Sequence, residues 1–131
     1  MSGGPIGISC NLNGLSAEDL DFLKAHVAKF KEEREFWRTA ECRILADTGS
    51  MLVLQYNDPA FKTVRLQAIA SKIAQGQLRM YPQLPADKVY TLSDETKLTA
   101  AELMRDGVTV TQSLHYKASN RRMQEIILKE V

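Results

Sequence analysis

Three pairs of adjacent carboxylates, Glu18-Asp19, Glu32-Glu33 and Asp94-Glu95, come nearest in type and spacing to residues that could do chemistry. Two neighbouring carboxyl groups can divide acid and base work when one of them is buried enough for its pKa to rise. None of the three pairs lies in an apolar run that would bury it, so each reads as a solvated helix or turn. His26 and His115 are the only imidazoles, and neither has a Cys, Asp, Glu or second His at the spacing that completes a metal site. Ser16 stands outside any GxSxG turn and reads as a helix N-cap, not a nucleophile. Cys10 and Cys42 belong to no CxxC or Cys/His cluster, which argues against zinc and against a disulfide framework. Gly3, Gly4 and Gly7 miss the GxGxxG spacing, and no GKS or GKT follows them, so they mark a turn and not a phosphate loop. No catalytic, cofactor-binding or metal-binding residue is assigned on these grounds, and no cofactor is expected.

Binding chemistry is sparse as well. Tyr56, Phe61, Tyr81, Tyr90 and Tyr116 could offer flat faces to the C–H groups of a sugar, which leaves weak carbohydrate contact as one expectation. Their places in or beside apolar runs favour core or edge packing. Lys117, Arg121 and Arg122 cluster at a hairpin tip and read as a solvated turn. Seventeen basic and sixteen acidic side chains leave a net charge of +1, so neither nucleic acid nor an anionic membrane is an expected partner. The opening MSGGPIGISC has no charged, apolar pattern of a secretory signal, and no stretch approaches the roughly eighteen apolar residues of a membrane span. With two free thiols, a cytoplasmic location is the expectation.

These residues must be positioned by a chain of 131 residues, long enough for one core and short of the roughly 250 that a barrel enzyme uses. Ser16 followed by Asp19, with Leu15 and Leu20 placed as a hydrophobic staple, predicts a helix from Ala17. Leu20, Leu23, Val27, Phe30 and Trp37 then recur at three- and four-residue steps, with the stem of Arg34 on the same stripe. Phe22 and Phe36 fall outside it and hint at a second, smaller contact.

Beyond Trp37 the pattern changes to short β-type runs separated by turn residues. The expected strands are residues 43–47, 51–56, 63–70, 77–84, 88–92, 108–116 and 123–129. In 63–70, Val64, Leu66 and Ala68 take one face, and Thr63, Arg65 and Gln67 the other, which predicts a sheet buried on one side and wet on the other. Thr99-Ala-Ala-Glu102 with Gly107 predicts a turn or two of capped helix. The fold class expected is mainly β: an antiparallel two-sheet β-sandwich preceded by one long amphipathic helix.

Three stretches together resemble the family 36 glycoside hydrolases, the α-galactosidases or melibiases. Gly4-Pro-Ile-Gly7, Leu12-Asn-Gly-Leu15-Ser16 and the long helix are similar to that family's last barrel strand, loop and closing helix. The run from Met51 through Ala70, with Leu78-Arg-Met80 and Lys88-Val-Tyr90, resembles the strands after the barrel. Glu102-Leu-Met104 with Gly107 resembles the turn into the penultimate strand. The resemblance implies that residues 1–40 are the remnant of a barrel and 41–131 a C-terminal antiparallel β-sandwich. It also implies a parent that hydrolyses terminal α-galactosides with retention, using two carboxylates that lie upstream of the matched region. None of the motifs around those carboxylates occurs here, so this chain by itself is expected to be inactive. The helix stripe Leu20, Leu23, Val27, Phe30 and Trp37 is then the expected partner surface, facing the rest of the parent enzyme, folding back on the sandwich or meeting a second copy.

Overall fold

A computed structural model describes residues 11–70, 73–74, 78–110, 114–115 and 122–131. The chain divides into two compact units, the first ending at Ala40 and the second spanning Glu41–Val131.

The first unit is a 3-10 turn, Leu12–Gly14, followed by helix α1, Ala17–Thr39. Ser16 caps α1 as its residue type dictates: its Oγ accepts the Asp19 amide at 3.1 Å, satisfying one of the helix's orphan donors. Glu18 and Asp19 in the first turn and Arg38 in the last complement the helix dipole. Leu20, Leu23, Val27, Phe30 and Trp37 share one face as the spacing predicts, each half-buried, and no residue of α1 is buried.

In the second unit the strands are β1 Glu41–Asp47, β2 Met51–Asn57, β3 Thr63–Ala70, β4 Ile73–Ala74, β5 Leu78–Met80, β6 Val89–Thr91, β7 Lys97–Thr99, β8 Val108–Val110, β9 Leu114–His115 and β10 Met123–Glu130. Helix α2, Ala100–Asp106, lies between β7 and β8. All the pairings are antiparallel. Six strands form one sheet in the order β1-β2-β3-β10-β6-β7, while β5 pairs with β8 and β4 with β9. The mainly β, antiparallel class with a leading long helix is as the sequence predicts.

Local chemistry sets the turns. Between β1 and β2, Asp47 Oδ1 accepts the Gly49 amide at 2.9 Å, and Gly49 takes φ +75°, a conformation that costs glycine little. A bulge between Ile44 and Ala46 interrupts β1, the sheet's edge, and charged Glu41, Arg43 and Asp47 discourage further pairing there. Met51, Val53, Val64, Leu66, Ala68, Ala70 and Leu128 pack in one core with Met80, Leu84, Tyr90, Leu103, Val108 and Val110. The six-stranded sheet thus buries one face against β5, β8 and α2, the two-layer solution to covering an apolar sheet.

Four expectations are corrected. The predicted strand 77–84 contracts to β5 because Gln83 gives its backbone bonds to the Gln55 side chain instead of to a ladder. The predicted 108–116 becomes β8 and β9, which serve different partners, β5 and β4. Strand β7 went unrecognised because it is three residues long and Thr99 doubles as the cap of α2. The second face of β3 is not wet: Arg65 and Gln67 are buried, flanked across the ladders by Tyr56 and Ile127 and by Leu54 and Glu125. A buried guanidinium needs a counter-charge, and Glu125 supplies it: Arg65 Nη1 lies 3.3 Å from Oε1, and Gln67 Nε2 donates to Oε2 at 2.8 Å.

Candidate functional site

Five of the six paired carboxylates are exposed and Glu33 is half-buried. Glu18 and Asp19 occupy the first turn of α1, where Ser16 Oγ donates to Asp19 Oδ2 at 2.6 Å. That hydroxyl is therefore engaged in capping. Further along α1, Glu32 is exposed, and Glu33 Oε2 accepts the Trp37 indole N–H at 3.2 Å. Asp94 turns the β6–β7 hairpin by accepting the Thr96 amide at 3.0 Å, and this bond to a backbone N–H lowers its pKa. A general acid needs the opposite shift. Glu95 beside it holds φ +65° in the turn.

His26 stacks on Phe22 with ring centroids 4.2 Å apart, and its Nδ1 lies 3.2 Å from the Phe22 carbonyl oxygen, a local helical contact. His115 pairs with Ile73 through the backbone. Among the described residues no group of three or more His, Cys, Asp or Glu could hold a metal ion. Cys42, opposite Tyr56 on the β1–β2 ladder, is an exposed thiol. Gly3, Gly4, Gly7, Cys10, Tyr116, Lys117 and Arg121 lie outside the described residues. Arg122 uses its carbonyl to accept the Ala70 amide at 2.8 Å, closing the β3–β10 ladder.

The aromatic candidates separate cleanly. Tyr90 is fully buried, its hydroxyl donating to the Phe61 carbonyl at 3.0 Å; burial, followed by the charges of Glu130, Asp58 and Asp87, pushes its pKa up to about 12. Phe61 is half-buried beneath the Arg43 guanidinium, 5.8 Å from the ring centroid. Tyr56 is half-buried also. Tyr81 alone of the four is exposed, at 51%, and its ring lies against Gly107, where an added Cβ would stand 3.0 Å from Cε1. Among the four described, Tyr90 is sealed in the core, Phe61 packs against it and Tyr81 is presented to solvent.

What the first unit presents is an apolar groove of about 450 Å³ between the 3-10 turn and α1, lined by Leu12, Leu20, Leu23, Val27, Ala28 and the stems of Lys24 and Lys31. Three of the five stripe residues line it. A wall of this composition is suited to covering by another apolar surface.

Sequence reasoning missed one polar arrangement. Gln55 is fully buried on the core side of β2: its Oε1 accepts the Gln83 amide at 2.8 Å, and its Nε2 donates to the Gln83 carbonyl at 2.9 Å and to Asn57 Oδ1 at 3.2 Å. The signal was present, since Gln55 and Asn57 share parity with the buried Met51 and Val53 and are the polar members of that face.

Comparison with known proteins gives a clear answer from shape and none from sequence. No family model matches, and no curated protein does. Among solved structures, the α-galactosidase of Lactobacillus brevis matches at a TM-score of 0.76 and 18% identity over 92% of this chain. The family 36 α-galactosidase AgaA of Geobacillus stearothermophilus matches at 0.70 and 16% over 92%, and the galactosidase domain of an α-galactosidase-sucrose kinase at 0.69 and 14% over 91%. This chain has the fold of one segment of the family 36 α-galactosidases. It spans 17–18% of the length of each of those proteins. At these identities the likeness is one of fold.

Proposed function

We propose that this chain is a non-catalytic accessory unit of an α-galactosidase-type glycoside hydrolase, with a structural or assembly role. The observation that carries the reading is the asymmetry of the fold match: nine-tenths of this chain corresponds to less than a fifth of enzymes that carry out the whole reaction. In this reading residues 41–131 are the C-terminal β-sandwich, and α1 with the turn before it is the end of the barrel. The parent activity is retaining hydrolysis of terminal α-galactosides, and its two carboxylates belong to the rest of the parent. The lack of a buried pair among the carboxylates described above supports an inactive chain. The stripe Leu20, Leu23, Val27, Phe30 and Trp37 joins the unit to the rest of the parent or to a copy of itself. An exposed Cys42 thiol fits a reducing cytoplasm.

The exposed Tyr81 ring supports a second reading, a free-standing carbohydrate-binding module. One calorimetric titration with galactose, melibiose and raffinose, run beside turnover of p-nitrophenyl α-galactoside, separates the two; AgaA variants have been crystallised with raffinose and stachyose. Neither heat nor turnover is expected. Saturable heat that vanishes in Tyr81→Ala would establish the binding module, and turnover that follows the chain through purification would overturn both readings.

A further inference from the structure

We infer that the β2–β3 turn, residues 58–62, is a strained clasp: β10, β6 and the residue before β6 hold it closed against the backbone preference of Phe61, and it opens as a local unit while the sheet stays folded. Phe61 holds φ +55°. In that left-handed conformation the Cβ of an L-residue crowds the following carbonyl oxygen, and a hairpin loop that needs it ordinarily places glycine there. The ring explains why phenylalanine stands here instead. It packs, half-buried, on the core and lies 5.8 Å beneath the Arg43 guanidinium. The backbone is held in the required shape from outside the hairpin. The carbonyls of three consecutive residues each accept from a distant donor: Ala60 from Lys88 Nζ at 2.6 Å, Phe61 from the Tyr90 hydroxyl at 3.0 Å and Lys62 from the Glu130 N–H at 2.8 Å. Inside the turn, the Phe61 N–H donates to the Asp58 carbonyl at 2.9 Å and the Thr63 N–H to Asp58 Oδ1 at 2.6 Å.

Lys88 is the pin of the clasp. Its ammonium also meets Glu130 Oε1 at 2.8 Å, so one charge ties the turn to β10. The Lys88 and Glu130 side chains are 18% and 31% exposed, dry enough for a charge-assisted bond to count. Opening breaks no rung of the β2–β3 ladder, whose last pair is Asn57 with Val64. Pro59, Ala60 and Lys62 already face solvent. The open turn gives up its carbonyl bonds, its bonds to Asp58 and the packing of one ring, and it returns Phe61 to an unstrained backbone. A small loss offset by released strain places the turn among the least stable parts of the β unit, below the core strands that open with the whole unit. The inference goes beyond the accessory reading, because it concerns how the β unit is closed.

Native-state hydrogen exchange of the full chain at low urea concentrations tests the clasp. The Phe61 and Thr63 amides should exchange faster than those of Leu66 and Ala68 in β3, and without dependence on urea, because a local opening exposes little surface. Lys88→Met keeps the aliphatic stem and leaves the Ala60 carbonyl and Glu130 able to meet water. It should speed both turn amides about tenfold, with their urea independence unchanged. Phe61→Gly and Phe61→Ala both lack the ring and differ in the left-handed cost, so the turn should open about fivefold less often in the glycine variant. Turn amides that follow Leu66 and Ala68 in rate and urea slope would overturn the inference. So would turn exchange indifferent to Lys88→Met, or a Phe61→Ala turn as closed as that of Phe61→Gly. None of these outcomes bears on the α-galactosidase reading, which rests on the fold match and on the turnover assay.

Discussion

Gln55→Leu is a sharp test of how the second unit holds together. The substitution keeps the volume and apolar contacts of a buried site and removes only the amide. Three bonds disappear: the Gln83 N–H and C=O, at 2.8 and 2.9 Å, and Asn57 Oδ1, at 3.2 Å, lose their partner together. Each buried polar group left unsatisfied costs about 1–3 kcal/mol. The Gln83 backbone is only part-buried and recovers some solvation, whereas Asn57 is fully buried. The expected loss is about 2–3 kcal/mol, well above the contribution of one ordinary hydrogen bond. With a urea slope of about 1–1.5 kcal/mol per molar for a unit of this size, the midpoint should fall by roughly 2 M. Equilibrium unfolding should be followed by the strand signal in circular dichroism, because Trp37 belongs to the first unit and would report on that unit. A midpoint equal to or above the wild type's would show that the amide contributes no net stability and that Gln83 finds other partners.

Gly107→Ala should destabilise by about 2–3 kcal/mol, since the residue holds φ +70° and its new Cβ would stand 3.0 Å from Tyr81 Cε1 and 3.1 Å from the Met80 carbonyl oxygen; thermal unfolding measures it. Thr99→Ala removes a capping box in which Thr99 Oγ1 accepts the Glu102 amide and Glu102 accepts the Thr99 amide, and should cost about 1 kcal/mol in the same assay. The Glu102 carboxylate, its pKa lowered first by the Thr99 amide, should titrate below the ordinary glutamate range in the wild type and return towards it in Thr99→Pro, as followed by NMR. Tyr90, raised to about 12, favours the neutral phenol in the fold, so its contribution is complete below about pH 10 and is lost as pH rises towards 12. Ultraviolet titration should show tyrosines ionising late, Tyr56 among them because burial raises it to about 12 as well, and Tyr90→Phe should shrink that late step by one tyrosine; an unchanged curve would contradict the burial.

Much of this protein was legible in its residues because the relevant physics is local. Ser16 and Thr99 cap helices wherever a free amide follows three residues on, so both helix starts could be read directly. Alternation in 63–70 and a β-type run over 123–129 marked two neighbouring strands whose bounds the structure reproduces to within a residue. The stripe on α1 was likewise fixed by spacing alone. So was the exposure of five of the six paired carboxylates, because acids in polar turns and on polar helix faces gain little burial from the sequence around them.

What depended on distant parts of the chain could not be read locally. The pairing of β10 with β3 joins residues some sixty positions apart, and it alone brings Glu125 to Arg65 and turns an apparently wet face into a buried ion pair. Gln55 reaches Gln83 across 28 positions and ends a strand that propensity would have continued. Tyr81 and Tyr90 lie nine residues apart in similar sequence, yet one packs against a glycine and stays exposed while the other is sealed in the core. Residue type sets what a side chain can do at short range; the layer it faces is decided by which strands pair, and that is a property of the whole fold.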